Sequence, residues 1–159
     1  SQKYFESLLL QQLQKFNRDR VVWIESESNK IGKIYLPLPL WQKMKQSECI
    51  EIQLPIDSRV AFLLRGYPYL ETHSEFLKTK LEKLKSRHGK QKINYWFQLI
   101  EARKREDIVK ELLLLHYDPT YSCSIKRDYA NVEKSLFVSD VSDINIEYIL
   151  NNLISISED

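Results

Sequence analysis

RVVWIESESNKIGKIYLP, residues 20–37, decides how the rest of the chain is read. It opens on Val21-Val22-Trp23-Ile24, a short apolar run rich in β-branched and aromatic side chains. Such a run predicts a strand over residues 21–25, buried on both faces. The run stops at Glu25-Ser26-Glu27-Ser28, and Asn29, Lys30, Gly32 and Lys33 follow at once. Carboxylates, hydroxyls and cations therefore meet where the strand leaves its sheet, which is where open α/β sheets bind ligands. A solvated turn would carry the same residues, because Ser, Asn and Gly are also turn formers.

Outward from that stretch, helical and extended patterns alternate. Phe5, Leu8, Leu9, Leu13 and Phe16 recur at three- and four-residue spacing and predict a helix over residues 2–16. Pro39 suits the first turn of a short helix ending near Gln46, and residues 49–53 alternate as a second strand. Asp57 or Ser58 is expected to cap the next helix, with Val60, Leu63 and Leu64 inward and Arg59 and Arg65 on more exposed faces. Gly66-Tyr67-Pro68 breaks it. Thr72-His73-Ser74-Glu75 has capping-box spacing and opens a long helix with Leu77, Leu81 and Leu84 as its buried stripe, ended by Gly89. Two more helices are expected over residues 92–103 and 107–116, the second stopped by Pro119. Residues 135–139 form a third strand candidate, and Asp143 caps a last helix reaching Ile154. Strands alternating with helices argue for an α/β fold, a parallel sheet of about three strands with helices on both faces. Residues 70–117 are too long for one crossover and are expected to form a helical insertion, a lid or side lobe.

At 159 residues the chain is one domain's worth and can bury a real core. A net charge of +2 means that any attraction to nucleic acid must come from local patches. Cys49 and Cys123 lie far apart without a CxxC, so neither a disulfide framework nor a zinc site is indicated, and a reducing cytoplasm fits. Cys123, beside Lys126 and Arg127, is a weak candidate nucleophile. His73, His88 and His116 share no ligand spacing. No apolar run approaches the roughly 18 residues of a membrane span. Only Gly32, Gly66 and Gly89 are present, so a phosphate-cradling GxxxxGK[ST] loop cannot be built from this sequence. That nearly excludes a stand-alone small kinase.

The densest run of cations is Lys78 to Lys92, which sets Lys83, Lys85, Arg87, Lys90 and Lys92 against the single acid Glu82, with Tyr95 and Trp96 just beyond. Cations for phosphates and aromatics for unstacked bases are how single-stranded RNA is held. The same cations also complement a helix C-terminus, and Trp96 also suits a core.

Three ordered blocks carry a resemblance. Trp23-Ile24-Glu25-Ser26-Glu27-Ser28 with Ile31-Gly32, Leu36-Pro37 and Leu40-Trp41, then Ser1-Gln2-Lys3 with Phe5-Glu6, and LLLLHYDPTY at residues 112–121 resemble the tRNA 2-selenouridine synthases. Asn29 departs from the pattern, standing where a basic residue is expected. The resemblance implies the carboxyl-terminal part of a P-loop kinase-like domain, residues 1–159. The family's phosphate loop and its rhodanese-like domain with the catalytic cysteine are then expected ahead of Ser1. It also implies an enzyme that converts wobble 2-thiouridine in tRNA to 2-selenouridine with selenophosphate, through an S-geranylated intermediate made from geranyl diphosphate. The segment alone is expected to be inactive. The alternative is a non-catalytic RNA- or nucleotide-binding module.

On that reading Glu25 takes the place of a Walker B acid near Mg²⁺, with Glu27 its rival and Ser28 in support. An exposed ion pair with Lys30 or Lys33 is the plainer account of either acid, and is worth only about 0–1 kcal/mol. Lys30, Gly32, Lys33, Arg59 and Arg65 are the candidates for gripping phosphate, Arg59 the foremost because Arg59-Val60 matches a recurrent Arg-Val pair. Tyr117, Asp118 and Tyr121 are read as a helix stop that acts as a structural clamp or a pocket wall.

Overall fold

The computed structural model describes residues 1–26, 28–68, 73–129, 132 and 134–156, the side chains of 143–145 and 156 excepted. The expectations for Glu27, for Thr72 in the capping box and for the Asp143 cap fall outside what is described. The fold is mixed α/β and mostly helical. The elements are α1 (Gln2–Leu13), β1 (Lys30–Ile31), β2 (Ile34–Tyr35), α2 (Leu38–Gln46), β3 (Ile50–Gln53), α3 (Ile56–Gly66), α4 (Ser74–Glu82), α5 (Lys85–Glu101), α6 (Arg105–Leu112), a π-helical turn (Leu113–Tyr117), α7 (Asp118–Asp128), β4 (Lys134–Phe137) and α8 (Asp143–Ile156). β3 and β4 form the small parallel sheet expected from residues 49–53 and 135–139.

The expected strand over residues 21–25 does not form. Residues 21–26 take no regular structure, and Val21, Val22, Trp23 and Ile24 are 60%, 43%, 49% and 47% exposed. A strand is held by the ladder of a neighbour, and among the described residues the strand pairs are β1 with β2 and β3 with β4. The apolar run specifies what favours burial, not that a partner strand lies beside it.

The chain folds into two compact units, Ser1–Ile52 with Tyr121–Leu136 and Leu150–Asp159, and Gln53–Thr120 with Phe137–Ile149. In the first, α1 half-buries Phe5, Leu9 and Leu13. β1 and β2 make a hairpin with Lys30 opposite Tyr35 and Ile31 opposite Ile34. Its two-residue turn starts at Gly32 with φ 61°, a conformation that suits glycine. Gln2 clasps the hairpin through one amide: Nε2 donates to the Tyr35 carbonyl at 2.8 Å, and Oε1 accepts from the Tyr35 N–H at 2.9 Å. α2 begins after Pro37, with Pro39 in its first turn where no N–H is needed. Its Trp41 and Met44 pack with Tyr129, the Trp41 and Tyr129 rings edge to face at 6.0 Å.

The second unit carries the helices expected between residues 70 and 117. Leu81 of α4 joins Ile93, Trp96 and Leu99 of α5 and Ile108 of α6, with Leu77 and Leu84 packed against them. Gly89 breaks the helical path inside α5 with φ 79°. α5 ends at a left-handed residue, Arg103, at φ 55°. Lys104 N–H bonds Leu99 O and Arg103 N–H bonds Ile100 O, both in the pattern of a Schellman cap with arginine where glycine is usual. A second apolar cluster joins Val60 of α3 to Val109 of α6 and Leu113.

Two expectations for helix ends are corrected. Neither Asp57 nor Ser58 caps α3, which starts at Ile56 after Pro55. Asp57 instead meets Lys110 at 2.7 Å, and the Ser58 hydroxyl donates to the Ser139 carbonyl at 2.7 Å. Pro119 does not stop the chain's helix. The π-helical turn widens the path just before it, so Pro119 falls in the first turn of α7, where its missing N–H and its ring are tolerated.

Candidate functional site

Glu25 is exposed in the stretch without regular structure, so no sheet holds it as a strand end would. Next to it, the Ser26 hydroxyl lies 4.0 Å from the Cys49 thiol. Ser28 acts locally, its oxygen accepting the Lys30 N–H at 3.1 Å. Lys30 projects over the Tyr35 ring, 5.5 Å from its centre, while Gly32 and Lys33 form the exposed hairpin turn. Among the described residues no three His, Cys, Asp or Glu side chains gather as metal ligands.

Arg59 and Asp118, 59 residues apart, meet in a bidentate pair. Arg59 Nη1 donates to Asp118 Oδ2 at 2.9 Å, and Nη2 to Oδ1 at 2.5 Å. Its hydrogen bond to Asp118 raises the Arg59 pKa above its usual value, against the opposing effect of burial. Asp118 thus clamps α3 to α7. Arg65 is exposed in the last turn of α3. Tyr117 and Tyr121 are half exposed, the Tyr117 ring stacking edge-on against His116 at 5.1 Å.

The cation run folds around the turn from α4 into α5. Lys83 is the C-cap of α4, and Lys85, Arg87 and Lys90 follow on α5, all four exposed. Lys85 lies 3.5 Å from Glu82. Lys92 is more engaged, 3.0 Å from Glu111 and over the Tyr95 ring at 5.1 Å. Trp96 is fully buried and gives no surface for a base. Its indole N–H donates to Glu111 at 3.1 Å. Burial alone would raise the Glu111 carboxyl, yet Lys92 and Trp96 hold it below the usual carboxylate range. Tyr95 is 43% exposed and is the aromatic that this face does offer.

Sequence reasoning missed the pairing of His88 with His116. Their ring nitrogens Nε2 and Nδ1 lie 3.1 Å apart, and the His88 ring stacks 5.0 Å from Trp96. Burial lowers both pKa values first; Arg87 and Lys92 then add to the effect on His88, and Arg87 and His88 to that on His116. Spacing could not show this pair, because a π-helical turn sets the direction of His116. An open cavity of about 360 Å³ also went unread, with Leu77 and Ile108 in its apolar floor and Lys78, Arg103 and Arg105 beside it; it contains none of the expected site residues.

The family model of the tRNA 2-selenouridine synthase AAA domain matches residues 1–152. The chain belongs to the tRNA 2-selenouridine synthase family. No curated protein and no solved structure matches it. tRNA is the substrate of the family. Two of the blocks that resembled the selenouridine synthases have structural work in this domain. Gln2 of the first block clasps the hairpin that follows Glu25-Ser26, and Asp118 of the last block clasps Arg59. Among the described residues no helix is long and apolar enough to cross a membrane.

Proposed function

We propose that this domain serves an enzyme that exchanges sulfur for selenium at C2 of wobble 2-thiouridine in tRNA, with selenophosphate as the selenium donor. The reaction runs through an S-geranylated intermediate. Transfer of the geranyl group from geranyl diphosphate to sulfur releases diphosphate and turns the thiocarbonyl into a thioether. The selenium of selenophosphate then attacks C2 and geranyl thiolate leaves; water cleaves the selenium–phosphorus bond of the adduct, releasing phosphate and 2-selenouridine. The observation that carries the reading is the family match along residues 1–152. The phosphate loop and the rhodanese-like domain belong to the parent enzyme, and the segment alone is inactive.

The chain's own share is to bind and orient. Arg59, with Arg65 on the same helix, meets phosphate oxygens of a substrate, as arginines of mobile lobes do in phosphoryl transfer. Lys30 and Lys33 add cations to the stretch that carries Glu25. Lys83, Lys85, Arg87 and Lys90 are exposed around one turn, which supports a tRNA-facing surface with Tyr95 as its aromatic.

The test is tRNA binding by the complete synthase over a range of salt concentrations, with Lys83, Arg87 and Lys90 changed together to Ala. Each lost phosphate contact flattens the log–log salt slope by about 0.7 on single strands and about 0.9 on duplex. Three contacts predict a slope flatter by about 2–3. An unchanged slope would assign these residues to a merely solvated face.

A further inference from the structure

The Arg59–Asp118 pair has features that a bare ion pair does not need. Both side chains are 33% exposed, so the pair is partly withdrawn from water yet one edge stays reachable. A guanidinium carries five N–H donors in a rigid plane. The carboxylate takes one from Nη1 and one from Nη2, which leaves Nε–H and one further N–H on each Nη that the pair does not use. The backbones on both sides are fixed by the same apolar cluster. Val60, next to Arg59, is buried against Val109 and Leu113, and Leu113 opens the π-helical turn that delivers Asp118. The guanidinium is thus held in one plane by an acid that is itself held in place.

We propose that Asp118 is a positioning residue that orients the Arg59 guanidinium toward a phosphate-type oxygen of the substrate. This rests on the reading of Arg59 as an anion-binding group. Removing the Asp118 charge leaves Arg59 cationic and able to attract an anion, but no longer fixed in direction. Loss of orientation costs turnover, while ground-state attraction stays or grows.

The experiment follows 2-selenouridine formation by the complete synthase, with selenophosphate varied and inorganic diphosphate as a competing phosphate probe. The variants are Arg59→Gln, Asp118→Asn, Asp118→Glu and the double Arg59→Gln/Asp118→Asn. Urea midpoints are measured alongside, to separate folding from function. Asp118→Asn is expected to lower kcat about tenfold or more without raising KM or weakening diphosphate inhibition. Asp118→Glu, which keeps the charge, should recover part of kcat. The double variant should be no worse than Arg59→Gln. Should Asp118→Asn prove unstable, the Asp118→Glu kinetics decide the matter. Wild-type kcat in folded Asp118 variants, beside a damaged Arg59→Gln, would overturn the positioning role alone. Wild-type kinetics in Arg59→Gln would overturn the anion-binding reading and Asp118's role with it.

Discussion

Replacing Glu111 with alanine removes the acceptor at the centre of the helical core's polar seam. Two donors lose a partner: the Trp96 indole N–H at 3.1 Å and the Lys92 ammonium at 3.0 Å. Trp96 is 0% exposed, so its indole N–H loses a buried partner, and an unpaired buried donor costs about 1–3 kcal/mol. The Lys92 side chain is 34% exposed, so its ammonium returns to water and the ion pair counts for about 0–1 kcal/mol. The expected loss is then about 1–4 kcal/mol, carried mainly by Trp96. With a urea slope of about 2 kcal/mol per molar, the midpoint falls by roughly 0.5–2 M. Urea titration at pH 7, followed by tryptophan fluorescence, measures it. A double-mutant cycle with Trp96→Phe tests the cause, since the indole donor is then already gone. If Glu111→Ala costs as much in the Trp96→Phe background as in the wild type, the hydrogen bond is not what Glu111 contributes, and the reasoning fails.

Further expectations concern the same unit. Arg103→Gly should raise stability by about 1 kcal/mol, because glycine adopts the left-handed φ of 55° without a side-chain clash; an unchanged or lower urea midpoint would contradict this. The His88–His116 pair should make stability fall in acid. Both folded pKa values lie below the ordinary value of about 6.5, so the unfolded chain takes up protons first, and stability present above that pH is lost as pH falls through the folded values. His88→Gln should flatten that dependence below about pH 6.5 in urea titrations, and an equally steep dependence in the variant would place the titrating groups elsewhere. Glu111, whose folded pKa is lowered, contributes stability above about pH 4.3 that is lost as pH falls through its folded value.

What the sequence made legible was whatever depended on local period. Leu77, Leu81 and Leu84 marked one buried stripe, and Val60, Leu63 and Leu64 marked another, because helical spacing puts such residues on one face. β3 was legible as a short alternating run, and β4 as a short apolar one. Residues 21–25 misled because a strand needs a neighbour's ladder, which its own apolar content cannot supply. The hairpin at residues 30–35 went unread although Ile31-Gly32-Lys33-Ile34 carries its signal, a Gly-X turn between β-branched residues. The polar pairs lay beyond sequence altogether. Arg59 was singled out and Asp118 was singled out, but nothing local joins them across 59 residues. His88 and His116 needed both the Gly89 break and the π-helical turn to meet. Pro119 was read by its rule as a stop, and the widened turn before it is what lets the helix resume.

The most direct test of the account is the formation of 2-selenouridine itself. The complete synthase carrying this domain is incubated with selenophosphate, geranyl diphosphate and tRNA bearing wobble 2-thiouridine, and its nucleosides are read by mass spectrometry. The account predicts S-geranylated 2-thiouridine as a transient and 2-selenouridine as product, with neither formed by residues 1–159 alone. No selenium in the tRNA under those conditions, or turnover by the isolated chain, would contradict it.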